Sequence, residues 1–228
     1  QVFLDLHTVE DTAHGRWRRL CNELGGRGTP DLNTAFQDIF LKDLYIAFNE
    51  LAKASFFNQI HEFFVSGQKN IRDTGKKQRI PKAAPFIEAL REPTLRFIKV
   101  ASEYLYGSSG EYESFTPEKS YPESRAETTW EEFALIVQRL IRIAELPAKP
   151  PATLHEKGRT FIQKIAERLR SEPESCAYVA AYTLLSLSRG IIGTGVSGMD
   201  GRKLVDHWCL DRKIREAYLE VGYESEDL

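Results

Sequence analysis

Apolar residues recur at steps of three and four along most of the chain, which is the spacing that places them on one face of an α-helix. A clear series is formed by Phe133, Ile136, Val137, Leu140 and Ile141. No segment alternates apolar and polar residues over the length of a strand. The pattern therefore predicts an all-α fold, a multi-helix bundle of six to eight helices with one long loop.

Residues with known preferences for helix ends set the expected boundaries. The first helix should end at Gly25-Gly26, because glycine readily adopts the left-handed conformation that closes a helix. Thr128 and Thr129 are each followed three residues later by a glutamate, the spacing of a capping box, and predict a helix start. Residues 202–220 are expected to form the last helix.

Two polar stretches interrupt the helical pattern. Residues 67–82 are rich in Lys and Arg, and residues 107–127 are rich in Gly, Ser, Pro, Tyr and Glu. A chain of 228 residues, of which 42% are hydrophobic, can bury one substantial core. We therefore predict a single helical domain, 1–228, whose only candidate sub-boundaries are these two stretches.

Charge and composition narrow the classes of partner. The chain has 31 basic and 33 acidic residues, so it lacks the basic excess typical of nucleic-acid binding. No run of about 18 apolar residues occurs, so we expect no membrane partner. Three cysteines without a CxxC spacing favour a reducing, cytoplasmic location. The start at Gln1 rather than Met is expected if an upstream segment was removed. The sequence leaves open whether the chain forms a homo-oligomer.

The first candidate site is the series His7, Asp11 and His14. On a helix these three positions fall within roughly 60° of one another, so the side chains project from one face. Two histidines and a carboxylate form the ligand set that non-heme iron favours, which predicts a metal site. The alternative is that Asp11 only forms a hydrogen bond with one of the histidines at a helix contact.

This H-x3-D-x2-H spacing resembles the final ligand helix of the heme-oxygenase-like diiron oxidases. The resemblance implies that a glutamate, a histidine and a second glutamate on other helices complete the iron site. The candidates for those ligands in this sequence are Glu50, His61 and Glu62.

The second candidate site is the glycine-rich segment after the apolar helix that begins near Cys176. It satisfies G-x-G-x-x-G, but a helix precedes it where a dinucleotide-binding fold requires a strand. Its backbone N–H groups and two hydroxyls can bind an anion such as a carboxylate or a heme propionate, with Arg189 as a charged clamp. The alternative is a tight turn between helices. The candidate residues are Arg189, Gly193, Thr194, Gly195, Ser197 and Gly198.

An apolar helix that leads into Gly-Thr-Gly-x-Ser-Gly resembles the C-terminal region of the tryptophan and indoleamine dioxygenase superfamily of heme-dependent aromatic oxygenases. The resemblance implies a loop over the heme edge that meets the polar end of an aromatic, amino-acid-like substrate. That role would fall to Gly193, Thr194, Gly195 and Ser197. The helix from Cys176 to Ile191 contains no histidine, so the axial ligand stays open among His7, His14, His61 and His207.

Together these patterns lead to one functional hypothesis with one alternative. The hypothesis is an oxygen-activating iron- or heme-dependent oxidoreductase that acts on a small aromatic or amino-acid-like substrate. In it, His7, Asp11 and His14 bind or flank the metal, and the segment 193–198 holds an anionic group. The alternative is a non-catalytic helical scaffold or protein-interaction module.

Overall fold

The computed structural model describes residues 15–72, 83–106, 123–144, 155–192 and 200–222. Within these ranges the ordered elements are eleven helical segments, with no strand. The segments are α1 (Arg16–Leu24), α2 (Leu32–Phe40), α3 (Lys42–Leu51), α4 (Ala54–Arg72), α5 (Ala83–Tyr106), α6 (Glu123–Ala144), α7 (Glu156–Ser171), α8 (Pro173–Leu185), α9 (Leu187–Ile192), α10 (Gly201–His207) and α11 (Leu210–Val221). The all-α fold is confirmed, and the number of helical segments exceeds the prediction because several predicted helices are broken.

The chain divides into two compact units, Gln1–Asp43 and Leu44–Leu228. In the first unit, α1 ends at Gly25, whose φ of 55° is the left-handed conformation expected there. The α2 helix begins after Asp31, whose side chain accepts a hydrogen bond from the backbone N–H of Asn33 at 2.9 Å. The rings of Trp17 and Phe36 pack with centroids 5.0 Å apart. The domain organisation inferred from the sequence stays a prediction.

In the second unit, α4 is the central element, since it packs against α6, α7, α8 and α11. Its buried face consists of Phe56, Phe57, Ile60, Phe63 and Phe64. Aromatic contacts extend this core to other helices, with Phe57 against Tyr218 of α11 at 5.4 Å and Phe63 against Phe86 of α5 at 5.6 Å. The apolar face of α4 therefore organises the unit in which the candidate site lies.

The predicted last helix, 202–220, is wrong as a single element. Cys209 adopts a left-handed conformation with φ 46°, and this interrupts the helix between α10 and α11. A non-glycine residue rarely adopts this conformation, so it is held by tertiary packing. The adjacent Trp208 is 1% exposed, so its side chain is buried in the core at this break.

The predicted start of the helix at Thr128 and Thr129 is also wrong. The α6 helix begins at Glu123, so both threonines lie inside it. The Thr128 hydroxyl donates to the backbone carbonyl of Ser124 at 3.0 Å, and Thr129 is 4% exposed. A threonine hydroxyl can bond to the preceding turn as well as to a helix start, and the spacing alone does not distinguish the two.

The stretch Pro173–Ile192, which joins α8 and α9, is long and apolar enough by composition to cross a membrane. In the most apolar 18-residue window of this stretch, 56% of the window is buried inside the protein. A buried core helix of a folded protein is as long and as apolar as a membrane-spanning helix, so length and composition do not distinguish the two. Burial in this stretch raises the pKa of the Cys176 thiol to about 12. The α8 helix packs against α4, α7 and α11.

Candidate anion-binding cleft

A cleft of about 840 Å³ lies between α6, α9 and the start of α10, and we call it the α6–α9 cleft. Its volume is within the range of small-molecule binding sites. The residues that line it are Arg125, Thr128, Thr129, Glu132, Phe133, Leu135, Ile136, Arg139, Ser186, Leu187, Arg189, Gly190, Ile192, Asp200 and Gly201. All of them belong to the second unit.

One wall of the cleft is a continuous stripe along α6. Arg125, Glu132 and Arg139 follow one another at steps of seven residues, which keeps them on the same side of the helix. With a rise of about 1.5 Å per residue, the stripe is roughly 21 Å long. Leu135 and Ile136 lie between Glu132 and Arg139 on α6, and their side chains are 44% and 36% exposed. This wall therefore offers charged groups and apolar surface to the same ligand.

The floor of the cleft is a close crossing of α6 and α9 at Gly190. A Cβ atom at this position would collide with the side chain of Thr129, and it would lie 3.0 Å from the Thr129 Oγ1 atom. The backbone of Gly190 is in an ordinary helical conformation, so the position requires glycine for space rather than for flexibility. The absence of a side chain at residue 190 thus lets α9 approach α6.

A second close contact holds the start of α10 against α9. A Cβ atom on Gly201 would lie 2.8 Å from both Ser188 Oγ and Arg189 Cγ. The preceding Asp200 begins α10, and its Oδ1 atom accepts a hydrogen bond from the backbone N–H of Lys203 at 2.8 Å. The Arg189 side chain therefore leaves α9 beside a fixed helix start.

The electrostatics of the lining favour an anion. Three guanidinium groups face two carboxylates, and the Asp200 carboxylate already caps α10. Within the described part of the chain, Arg139 and Arg189 have no ion-pair partner. Arginine side chains without a protein partner can form charge-assisted, bidentate hydrogen bonds with a carboxylate or phosphate.

Arg189 is the predicted anion-site residue that the structure describes, and it lines the cleft. The other residues of that prediction lie outside the described residues: Gly193, Thr194, Gly195, Ser197 and Gly198. The two described residues that flank this segment, Ile192 and Asp200, both line the cleft. The cleft and the predicted anion site are therefore adjacent along the chain.

The predicted metal ligands His7, Asp11 and His14 also lie outside the described residues. In the ranges that are described, no group of three or more His, Cys, Asp or Glu side chains could hold a metal ion. Glu50, proposed as a further iron ligand, instead pairs with Arg96 at 2.7 Å. The metal prediction therefore depends on residues before Gly15.

The described lining of the cleft does not by itself fit a heme. It contains no His, Cys, Met or Tyr that could be an axial ligand. His61 lies on α4, away from the lining, and its buried Nε2 atom has no hydrogen-bond partner among the described residues. His207 is exposed on α10.

Sequence reasoning did not identify Arg125 and Arg139 as site residues. Their seven-residue spacing through Glu132 was visible, since it places three charges on one side of a helix that also carries Ile136. The missing information was that this side faces α9, about fifty residues later in the chain.

Comparison of the chain with known protein families, with curated proteins and with solved structures found no match.

Proposed function

We propose that the α6–α9 cleft binds a small organic anion with an apolar body, of the aromatic or amino-acid-like kind. The observation that carries this proposal is the presence of Arg125, Arg139 and Arg189 in one cleft with the exposed side chains of Leu135 and Ile136. Arg139 and Arg189 bind the anionic group, and the leucine and isoleucine cover the apolar part of the ligand. Arg125, roughly 21 Å from Arg139 along α6, adds positive charge at the other end of the cleft.

Glu132 adds a group of opposite charge to the same wall. It is exposed and lies midway along α6 between Arg125 and Arg139. A carboxylate here accepts hydrogen bonds from an ammonium or hydroxyl group of the ligand. A ligand that carries both a carboxylate and an ammonium group, as an amino acid does, therefore finds a partner for each.

Replacing Arg139 or Arg189 with glutamine is expected to weaken the binding of an anionic aromatic probe, 8-anilinonaphthalene-1-sulfonate, by at least about tenfold. Loss of one charge-assisted hydrogen bond costs about 1.5–3 kcal/mol, and about 1.4 kcal/mol corresponds to a factor of ten. Fluorescence titration of the probe measures the change. A neutral analogue, N-phenyl-1-naphthylamine, should bind equally well to the variants, because it does not use the charge.

The matched control is Arg142→Gln. Arg142 is exposed on the same helix, but it does not line the cleft. The control should bind the anionic probe as the unmodified chain does. Equal affinity of the Arg139, Arg189 and Arg142 variants would reject the proposal.

We also propose, from the spacing of His7, Asp11 and His14, that the chain binds iron or heme and is an oxygen-activating oxidoreductase. If His14 is a metal ligand, His14→Ala should abolish iron or heme binding and leave the helical signal almost unchanged, since alanine favours helix. Elemental analysis, the Soret band and circular dichroism measure the three quantities. Full metal occupancy in the variant would reject His14 as a ligand. A purified chain without iron and without a Soret band would refute this second proposal as a whole. In that case the alternative function, a non-catalytic helical scaffold or protein-interaction module, replaces the oxidoreductase.

A further inference from the structure

The exposed face of α7 carries a stripe of basic and apolar side chains. Lys157, Phe161, Lys164 and Arg168 follow at steps of four, three and four residues, which places them within roughly 60° on the helix. Ile165 lies beside Phe161 on the same side. Phe161 is 64% exposed, and Ile165 is 36% exposed. We call these five residues the α7 stripe.

The α7 stripe borders the face with which α7 joins the core. Of the two buried residues of the helix, Ala166 lies on the side opposite Lys157, and Leu169 lies about 40° beyond Ile165, at the edge of the stripe. The helix packs against α4, α8 and α6. Phe161 is about 80° from Leu169 on the helix and mostly exposed, so most of its ring is not covered by the described residues.

The charge of α7 is strongly one-sided. The helix contains five basic and two acidic residues. Within the described ranges, Lys157 and Lys164 have no ion-pair partner. Arg168 is partly compensated, because its Nε atom donates to Glu172 at 2.7 Å. Hydrogen bonds from Ser175 and Arg168 hold the pKa of Glu172 below its ordinary value, so that pair stays charged.

We propose that the α7 stripe docks onto an anionic lipid surface. A helix with exposed lysines beside a phenylalanine can lie in the interface plane, with the ring at the level of the headgroups and the ammonium groups at the phosphates and carboxylates. The stripe is the outer side of a helix and not a groove, so its shape suits a broad anionic surface. This proposal departs from the expectation of no membrane partner. That expectation was based on the lack of a run of about 18 apolar residues, and interfacial binding requires no spanning segment.

The experiment is cosedimentation of the full chain with vesicles of phosphatidylcholine alone and of phosphatidylcholine mixed with phosphatidylserine. The chain should bind the mixed vesicles only, and added salt should weaken the binding. The double variant Lys157→Glu, Lys164→Glu should lose at least about thirtyfold in affinity. Phe161→Ser should lose about tenfold, since the ring no longer enters the interface.

The control for charge is the double variant Lys53→Glu, Lys99→Glu, which changes the net charge by the same amount at exposed positions outside α7. The control for lost apolar surface is Leu219→Ser, at a residue that is 56% exposed on α11. Both controls should bind the mixed vesicles within about twofold of the unmodified chain. No binding to mixed vesicles, or equal losses in the stripe variants and their controls, would overturn the proposal. Neither outcome bears on the α6–α9 cleft, which none of these substitutions touches.

Discussion

Trp208→Ala is expected to lower the free energy of unfolding by about 3–5 kcal/mol, because truncation of a buried tryptophan removes apolar burial and leaves a cavity. The side chain is 1% exposed and lies between α10 and α11, next to the left-handed Cys209. Without the indole ring, the break between the two helices loses the packing that holds it. Urea denaturation followed by circular dichroism measures the change.

Leu219→Ala provides the comparison for Trp208→Ala. Leu219 lies on α11 and is 56% exposed, so its truncation should change the free energy of unfolding by no more than about 0.5 kcal/mol. The two substitutions shorten apolar side chains in the same region and differ in burial. A loss below about 1 kcal/mol for Trp208→Ala would show that this residue does not hold the junction.

The fold class could be predicted because the helical period of apolar residues is a local property of the sequence. The end of α1 at Gly25 was predictable for the same reason, since glycine is the residue that adopts φ near 55° without strain. Cys209 has a φ of 46° and carries a side chain, and nothing in the local sequence indicates that conformation. Tertiary structure overrides the local preference there, and the burial of Trp208 beside it is not visible in the local sequence, so the last helix was predicted without its break.

The candidate site was predictable only in part, because some of its residues come together through contacts between helices that are distant in the sequence. Arg189 was selected because a glycine-rich segment follows it in the sequence. Arg125 and Arg139 belong to the same cleft through the crossing of α6 and α9, which is a tertiary contact. Thr129 was interpreted as a helix cap, whereas its side chain meets α9 at Gly190. A pattern within one helix does not reveal which other helix it faces.

Gly190→Ala is expected to lower the free energy of unfolding by about 1–3 kcal/mol, the usual cost of an added methyl group in a packed contact. The new Cβ atom would collide with the side chain of Thr129, which is 4% exposed and branched at Cβ, so it has few alternative rotamers. In an open helical position the same substitution stabilises, because alanine has the higher helix propensity. The sign of the effect therefore reports the close approach of α9 to α6.

Gly158→Ala is the matched control within the same chain. Gly158 is inside α7, and a Cβ atom there would meet nothing within 4 Å. This substitution should raise the free energy of unfolding by about 0.5–1 kcal/mol. If Gly190→Ala also stabilised the chain, α9 would not approach α6 closely at residue 190.

A double-mutant cycle with Thr129→Ala assigns the cost of Gly190→Ala to this one contact. Shortening Thr129 removes the Cγ2 and Oγ1 atoms that the new methyl group would meet, and so Gly190→Ala should cost less in the Thr129→Ala background. The recovery should be incomplete, because the Thr129 Cβ atom would still lie 3.2 Å from the Cβ atom of residue 190. We expect a coupling energy of at least about 1 kcal/mol, which is large for residues that do not touch and ordinary for residues in contact. Additive effects of the two substitutions would mean that the cost arises elsewhere, and the floor of the α6–α9 cleft would then lack the contact that sets its width.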